Sequence, residues 1–223
     1  MLKEILRGQE KAPIVLIIDD SEISGIPLLR SSLLNLAQRT NTTVHLVTYE
    51  YDPDTVLYGL DSSVRQNVQV HCVDDPLQWN GGSSLHLGTD LHQLFKSFPH
   101  ATEEFAVVIH CISRPMQHSS VTNICRQLGL ISRLPKFSQF ILTVHSDLHD
   151  EQTIRVLEHT SSAIITLFPV IDPSYTGLCS ILHKRQSGKI TRLKEHYTLS
   201  EKDFNLMESI EYKPISEMLT SAA

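Results

Sequence analysis

Apolar positions along the chain fall into two kinds of segment. Residues 14–18 (IVLII) form an unbroken apolar run with no polar alternation, which predicts a strand covered on both faces. Residues 44–48, 68–73, 105–112, 140–144 and 163–168 read as further strands. Between them the spacing changes to that of helices. Pro27 fits only a first helical turn, so a helix starts near 24–26, with Leu29, Leu33, Leu36 and Ala37 on one face. A short helical turn runs from Pro53 through Val56, Leu57 and Leu60. Leu87, Leu91, Leu94, Phe95 and Phe98 predict another helix, and Val121, Ile124, Cys125, Leu128 and Ile131 one that stops before Pro135. Residues 151–158 are helical, and Leu2, Ile5 and Leu6 mark a short helix within residues 1–10.

Beyond Pro173 the alternation of strand and helix ends. Residues 177–185 and 189–198 flank Ser187-Gly188, which predicts an antiparallel hairpin on the sheet edge. Residues 201–223 read as a weakly helical or mobile tail. The expectation is one α/β domain over residues 1–200 followed by that tail. Its sheet is parallel-dominated, with helices on both faces and a C-terminal antiparallel hairpin.

The 223 residues suffice for one sizeable core, and 41% hydrophobic with 20% charged content is ordinary for a globular protein. A formal net charge of -6 argues against gripping nucleic acid by bulk charge alone, while a local basic patch stays open. Cys72, Cys111, Cys125 and Cys179 are scattered without a Cys-x-x-Cys pair; they read as buried reduced thiols and predict a reducing compartment. The N-terminal apolar run is short and ends at Asp19 and Asp20, so it reads as neither signal peptide nor membrane span.

The first strand, turn and helix are where nucleotide-binding α/β proteins hold phosphates. A P-loop there needs Gly-x-x-x-x-Gly-Lys-Ser/Thr, because glycine N–H groups close on the phosphates and the Lys reaches the outer ones. This turn has Asp19, Asp20, Ser21, Glu22 and a single Gly25, with no Lys. Carboxylates in that position repel a polyphosphate. The strand that should end in a magnesium-holding Asp ends His110-Cys111-Ile112-Ser113 instead. Both Walker motifs are therefore absent, and no catalytic, cofactor-binding or metal residue is assigned. Asn80-Gly81-Gly82-Ser83-Ser84 reads as a flexible turn rather than an anion site. His145, Asp147 and His149 alternate as metal ligands sometimes do, but a loop whose Asp150 caps the next helix accounts for them better. No Gly-x-Ser-x-Gly elbow exists, and Cys111 and Cys125 read as buried thiols, poor nucleophiles.

Two candidate contact surfaces remain. Lys184, Arg185, Lys189, Arg192 and Lys194 cluster on the predicted hairpin, flanked by His183 and His196. They are either a charged edge that blocks aggregation or a contact for nucleic-acid phosphates. Leu77 and Trp79 lie in the 74–84 loop, as a core plug or a protein-interface anchor.

Taken together, the residues resemble the RecA-like, ring-forming subunits of the Elongator accessory subcomplex. Three stretches resemble the Elongator complex protein 5 family: Asp20-Ser21 leading into Leu28-Leu29-Arg30-Ser31-Ser32-Leu33-Leu34, then Asp75-Pro76-Leu77-Gln78-Trp79, and Val121-Thr122-Asn123-Ile124-Cys125-Arg126-Gln127-Leu128. The sixth-subunit family shares the fold and is the nearest alternative. The resemblance implies a RecA-like fold and a heterohexameric ring with the fourth and sixth subunits. It further implies docking to the catalytic Elongator core, tRNA binding, and support for wobble-uridine modification whose chemistry belongs to another subunit. It implies residence in cytoplasm and nucleus. An arginine of this chain, such as Arg30, Arg114 or Arg133, could complete a neighbour's nucleotide site. The competing expectation is an active RecA-like nucleoside triphosphatase with a non-standard phosphate loop.

Overall fold

A computed structural model of the chain describes residues 5, 12–49, 53–72, 91, 104–199 and 204–206. In chain order the elements are β1 (Ile14–Asp19), α1 (Ile26–Ala37), β2 (Thr42–Thr48), α2 (Pro53–Leu57), α3 (Ser62–Arg65) and β3 (Val68–Cys72). Then come β4 (Glu104–His110), α4 (Ser113–Met116), α5 (Val121–Ile131), β5 (Phe137–His145), a 3-10 turn (Ser146–Leu148), α6 (Glu151–Thr160) and β6 (Ala163–Phe168). The last described elements are β7 (Gly177–Lys184), β8 (Ile190–Leu199) and β9 (Phe204–Leu206).

All described strands join one sheet in the order β3-β2-β4-β5-β1-β6-β7-β8-β9. The first six run parallel. β7, β8 and β9 continue the sheet antiparallel. β1 lies between β5 and β6, and every one of its residues is buried, as its apolar run predicts. Its side chains alternate between two cores. Val15 and Ile17 face one core with α1, whose Leu28, Leu29, Leu33 and Leu36 are fully enclosed. Each of those leucines contributes roughly 1.5–3 kcal/mol by leaving water. Ile14, Leu16 and Ile18 face the other core, with Ile124, Leu128 and Ile131 of α5 and Leu157 of α6.

Isolated described residues tie the flanks in. Ile5 is fully buried in the α1 core, and its carbonyl accepts from Gln139 Nε2 at 3.1 Å. Leu91 is buried on the α5 face, its N–H donating to Gln127 Oε1 at 2.7 Å. Pro27 sits in the first turn of α1, and Asp150 caps α6 by accepting from Thr153 N–H at 2.7 Å, both as predicted.

Two elements were missed and two expectations are corrected. α3 and α4 are helices of four residues, too short for apolar periodicity to reveal. Residues 204–206 form β9 against β8, where a weak helix or mobile tail was expected; the segment is too short to show alternation. Cys72 is exposed because β3 is an edge strand, of which only Val68 is buried.

Candidate functional site

Parallel sheets bind ligands at the C-terminal ends of their strands. At the end of β1 this chain supplies its own anion. The Gly25 N–H, at the head of α1, donates to Asp19 Oδ2 at 2.6 Å. That is the place where a helix N-terminus would otherwise meet a phosphate. The other Asp19 oxygen, Oδ1, lies 2.6 Å from His145 Nδ1, and the Asp19 side chain is 1% exposed. The parallel register explains the pairing, since Asp19 stands opposite His145 on β5. Further amides of the turn are also taken. Asp20 Oδ1 accepts from Glu22 N–H at 2.9 Å and Ile23 N–H at 3.0 Å. Asp147 Oδ2 accepts from Ser21 N–H at 3.3 Å, and Ser146 Oγ donates to the Asp19 carbonyl at 2.9 Å.

Electrostatics close the arrangement. The His145 pKa is raised to about 11, first by its hydrogen bond to Asp19 and then by one to the Cys111 side chain, which together outweigh burial. The ring is therefore a cation beside a buried carboxylate, which compensates a charge that would otherwise be costly to bury. Gly25 is required by close approach: a Cβ there would stand 2.9 Å from Asp19 Oδ2 and 3.1 Å from Ile17 Cγ2.

The end of β4, the second nucleotide position, presents the buried His110 and then Cys111, with no carboxylate. Cys111 has a positive φ of 62°, and its N–H donates to Thr143 Oγ1 at 2.8 Å. The alternating triplet after β5 is divided among separate tasks. His145 binds Asp19 and Asp147 binds the Ser21 amide, while burial lowers the pKa of His149. Among the described residues no three His, Cys, Asp or Glu side chains are grouped to hold a metal.

The predicted hairpin is β7 and β8, joined by a turn in which Arg185 N–H donates to the Lys189 carbonyl and Gly188 has φ 82°. Its register places Leu182 opposite Arg192 and Ser180 opposite Lys194, so these share one face, together with Lys184. This is the α6 side of the sheet, because Leu182 packs with the α5 and α6 core. Lys184 does not stand free there. Its Nζ donates to the Glu158 carbonyl at 2.6 Å, near the C-terminus of α6, where a cation suits the helix dipole. Burial lowers its pKa. Arg185 is half-buried in the turn, whereas Lys189, Arg192 and Lys194 are exposed. His183 is fully buried on the opposite face, separate from the basic residues.

Sequence reasoning missed the neighbours of this face. A groove of about 340 Å³ runs between α6 and β6–β7, lined by Arg155, Glu158, His159, Thr166, Ser180 and Lys184. Further along, Tyr175 stacks on His196 with ring centroids 4.4 Å apart and planes 28° apart. These residues come from separate elements, so no local spacing links them. Leu77, Trp79 and the Asn80-Gly81-Gly82-Ser83-Ser84 turn lie outside the described residues. Of the three arginines, Arg30 donates to the Tyr58 carbonyl and lies 5.6 Å over the Tyr58 ring. Arg114 reaches Gln117 Oε1 at 3.4 Å, and Arg133 is exposed.

The architecture is similar to the RecA-like crystal structure of the flagellar accessory protein FlaH from Methanocaldococcus jannaschii. The TM-score is 0.65 over 90% of this chain and 91% of that one, at 11% sequence identity. The fold is accordingly RecA-like, with antiparallel strands added at one edge. Among curated proteins, Elongator complex protein 5 of Danio rerio is 28% identical over 219 residues, 96% of this chain and 72% of that protein. Residues 1–176 match the family model described as Elongator subunit Iki1, and the chain belongs to that family.

Proposed function

We propose that this chain is a non-catalytic Elongator subunit. It builds a heterohexameric RecA-like ring with the fourth and sixth subunits, binds tRNA, and supports wobble-uridine modification carried out by the catalytic core. One observation carries the reading: the Asp19 carboxylate occupies the anion position beneath α1, held by Gly25 and His145. A nucleotide phosphate brought there would meet a buried carboxylate and amides already bonded.

Ring contacts have apolar material at the C-terminal end of the same sheet. Leu148 is 56% exposed, Phe168 40% and Ile171 102%. Leu148 follows β5, Phe168 ends β6 and Ile171 follows it, on the two strands flanking β1. For tRNA, the exposed cations Lys189, Arg192 and Lys194 supply phosphate contacts on an otherwise acidic chain. Lys184 props α6 and is not assigned to RNA.

Co-expression with the fourth and sixth subunits, followed by size-exclusion chromatography with light scattering, tests the assembly. A chain that elutes as a monomer beside them overturns the ring. Calorimetry of the isolated chain with ATP and magnesium tests the lost site, and binding in the micromolar range overturns the non-catalytic reading. Replacing Lys189, Arg192 and Lys194 by Glu is expected to weaken tRNA binding and spare assembly. It is also expected to flatten the salt dependence by a log–log slope of roughly 2–3 if all three touch phosphates. Unchanged affinity at low salt removes this surface from RNA recognition.

A further inference from the structure

The α6 side of β7 and β8 is the less enclosed face of the hairpin. Leu178, Ser180 and Leu182 are half-buried there, while Cys179, Ile181 and His183 on the other face are buried. Strand pairing sets what the open face carries: Leu182 stands opposite Arg192, Ser180 opposite Lys194 and Leu178 opposite His196. Alternate residues of a strand share a face, so Arg192, Lys194 and His196 form a row along β8 at intervals of about 7 Å. Arg192 and Lys194 are exposed and His196 is half-buried. At the end of the row stands Tyr175, from the loop that enters β7, stacked on the His196 ring with centroids 4.4 Å apart. Backbone bonds fix that loop: Tyr175 N–H donates to the Asp172 carbonyl at 3.2 Å and Thr176 N–H to the Tyr197 carbonyl at 2.9 Å. Tyr175 is also half-buried, so the stacked pair is not sealed in the core.

The neighbouring groove is a poor place for a phosphate. Arg155 is held by Glu151, its Nε donating to Oε1 at 3.1 Å, and the Lys184 ammonium group donates to the Glu158 carbonyl at 2.6 Å. Glu158 itself lines the groove. The cations that face solvent, Arg192 and Lys194, lie farther out on β8, in line with the aromatic pair. Positive charge and ring faces in one row suit an unpaired nucleic-acid strand, whose phosphates and base faces are both accessible. A duplex hides its base faces in its own stack, so it would engage the cations and leave the rings unused.

We propose that this face of β8 binds an unpaired stretch of RNA, with Arg192 and Lys194 on neighbouring phosphates and a base stacked on the Tyr175–His196 pair. The inference rests on the tRNA reading above and narrows it to single-stranded segments, the loops and ends of a folded RNA. Every base has a π face, so the stack accepts any of them and binding here is tolerant of sequence.

Fluorescence anisotropy of the full chain at low salt compares a labelled oligouridylate, an RNA duplex of the same length, and tRNA. The single strand is expected to bind more tightly than the duplex. Tyr175→Ala is expected to weaken the single strand at least about fivefold while leaving the duplex affinity and the salt slope unchanged, because stacking releases no counterions. Tyr175→Phe keeps the ring and is expected to keep the affinity. If Glu at positions 189, 192 and 194 weakens tRNA while Tyr175→Ala leaves the single strand unchanged, this inference falls and the tRNA reading stands. If the charge reversals leave tRNA unchanged, both fall. A duplex bound as tightly as the single strand overturns the inference. So does an oligoglutamate bound with the same dependence on Tyr175, which would make the face a site for an acidic protein segment. Photo-cross-linking of a thiouridine-bearing oligouridylate to the unaltered chain decides alone if the variants fail to fold. Mass spectrometry is expected to find the cross-link on Tyr175 or His196, and cross-links confined to other residues, or none, overturn the proposal.

Discussion

Replacing His145 by Gln tests the buried ion pair at the head of α1 through its pH dependence. The folded ring titrates at about 11, raised chiefly by the hydrogen bond to Asp19, against an ordinary value of 6.5. The folded state holds the proton more tightly than the unfolded one. The pair's contribution is therefore complete below the unfolded value and is lost as pH rises toward the folded one. Within that window each pH unit withdraws ~1.4 kcal/mol, which gives an upper bound of about 3 kcal/mol between about pH 7 and about pH 9. The His145 side chain is 23% exposed, and water at the ring screens the pair, so about 2 kcal/mol is expected over that range. Urea unfolding of the original chain and the variant, at each of several pH values, measures the gap between them. The gap should shrink by that amount as pH rises. A gap that stays constant, or that widens, refutes the ion-pair account.

Gly25→Ala should cost about 1–3 kcal/mol in urea unfolding, because its Cβ would press on Asp19 Oδ2 and Ile17 Cγ2 in a site with no slack. Leu33→Ala should cost about 2–5 kcal/mol by the same measurement, since the side chain is fully enclosed between α1 and the sheet. Lys184→Met should lower the melting temperature without changing tRNA affinity in a filter-binding titration, because its ammonium group is engaged by the Glu158 carbonyl. Gly177→Ala should speed amide exchange along β7 and β8, because the new methyl would meet the buried Tyr197 ring, whose Oη would lie 2.5 Å away.

The parts of the fold that depend on neighbouring residues were legible from the chain. The run of apolar residues in β1 announced a strand buried on both faces. Pro27 marked the first turn of α1, Asp150 the cap of α6, and Ser187-Gly188 the reversal between β7 and β8. What depends on distant partners was not legible. Asp19 and His145 are 126 positions apart, and only the register of β1 against β5 makes them meet. The sequence showed acidic residues where phosphate would be repelled, but not that one of them fills the phosphate's place. Likewise five basic residues on a hairpin looked equivalent. Strand pairing turns Lys184 inward to α6, leaves Arg192 and Lys194 in solvent, and sends His183 to the other face. Cys72 was misjudged because a strand's sequence does not reveal that it lies at the sheet edge.

A loop that waits for a nucleotide has two shapes, one empty and one loaded, and any neighbour resting on it feels the difference. The turn after β1 carries its negative charge in its own covalent chain and its counter-cation on the next strand. On the function proposed above, its geometry is settled once, during folding, and does not follow the cell's supply of ATP. A surface built over such a turn would be a permanent joint rather than a timed one.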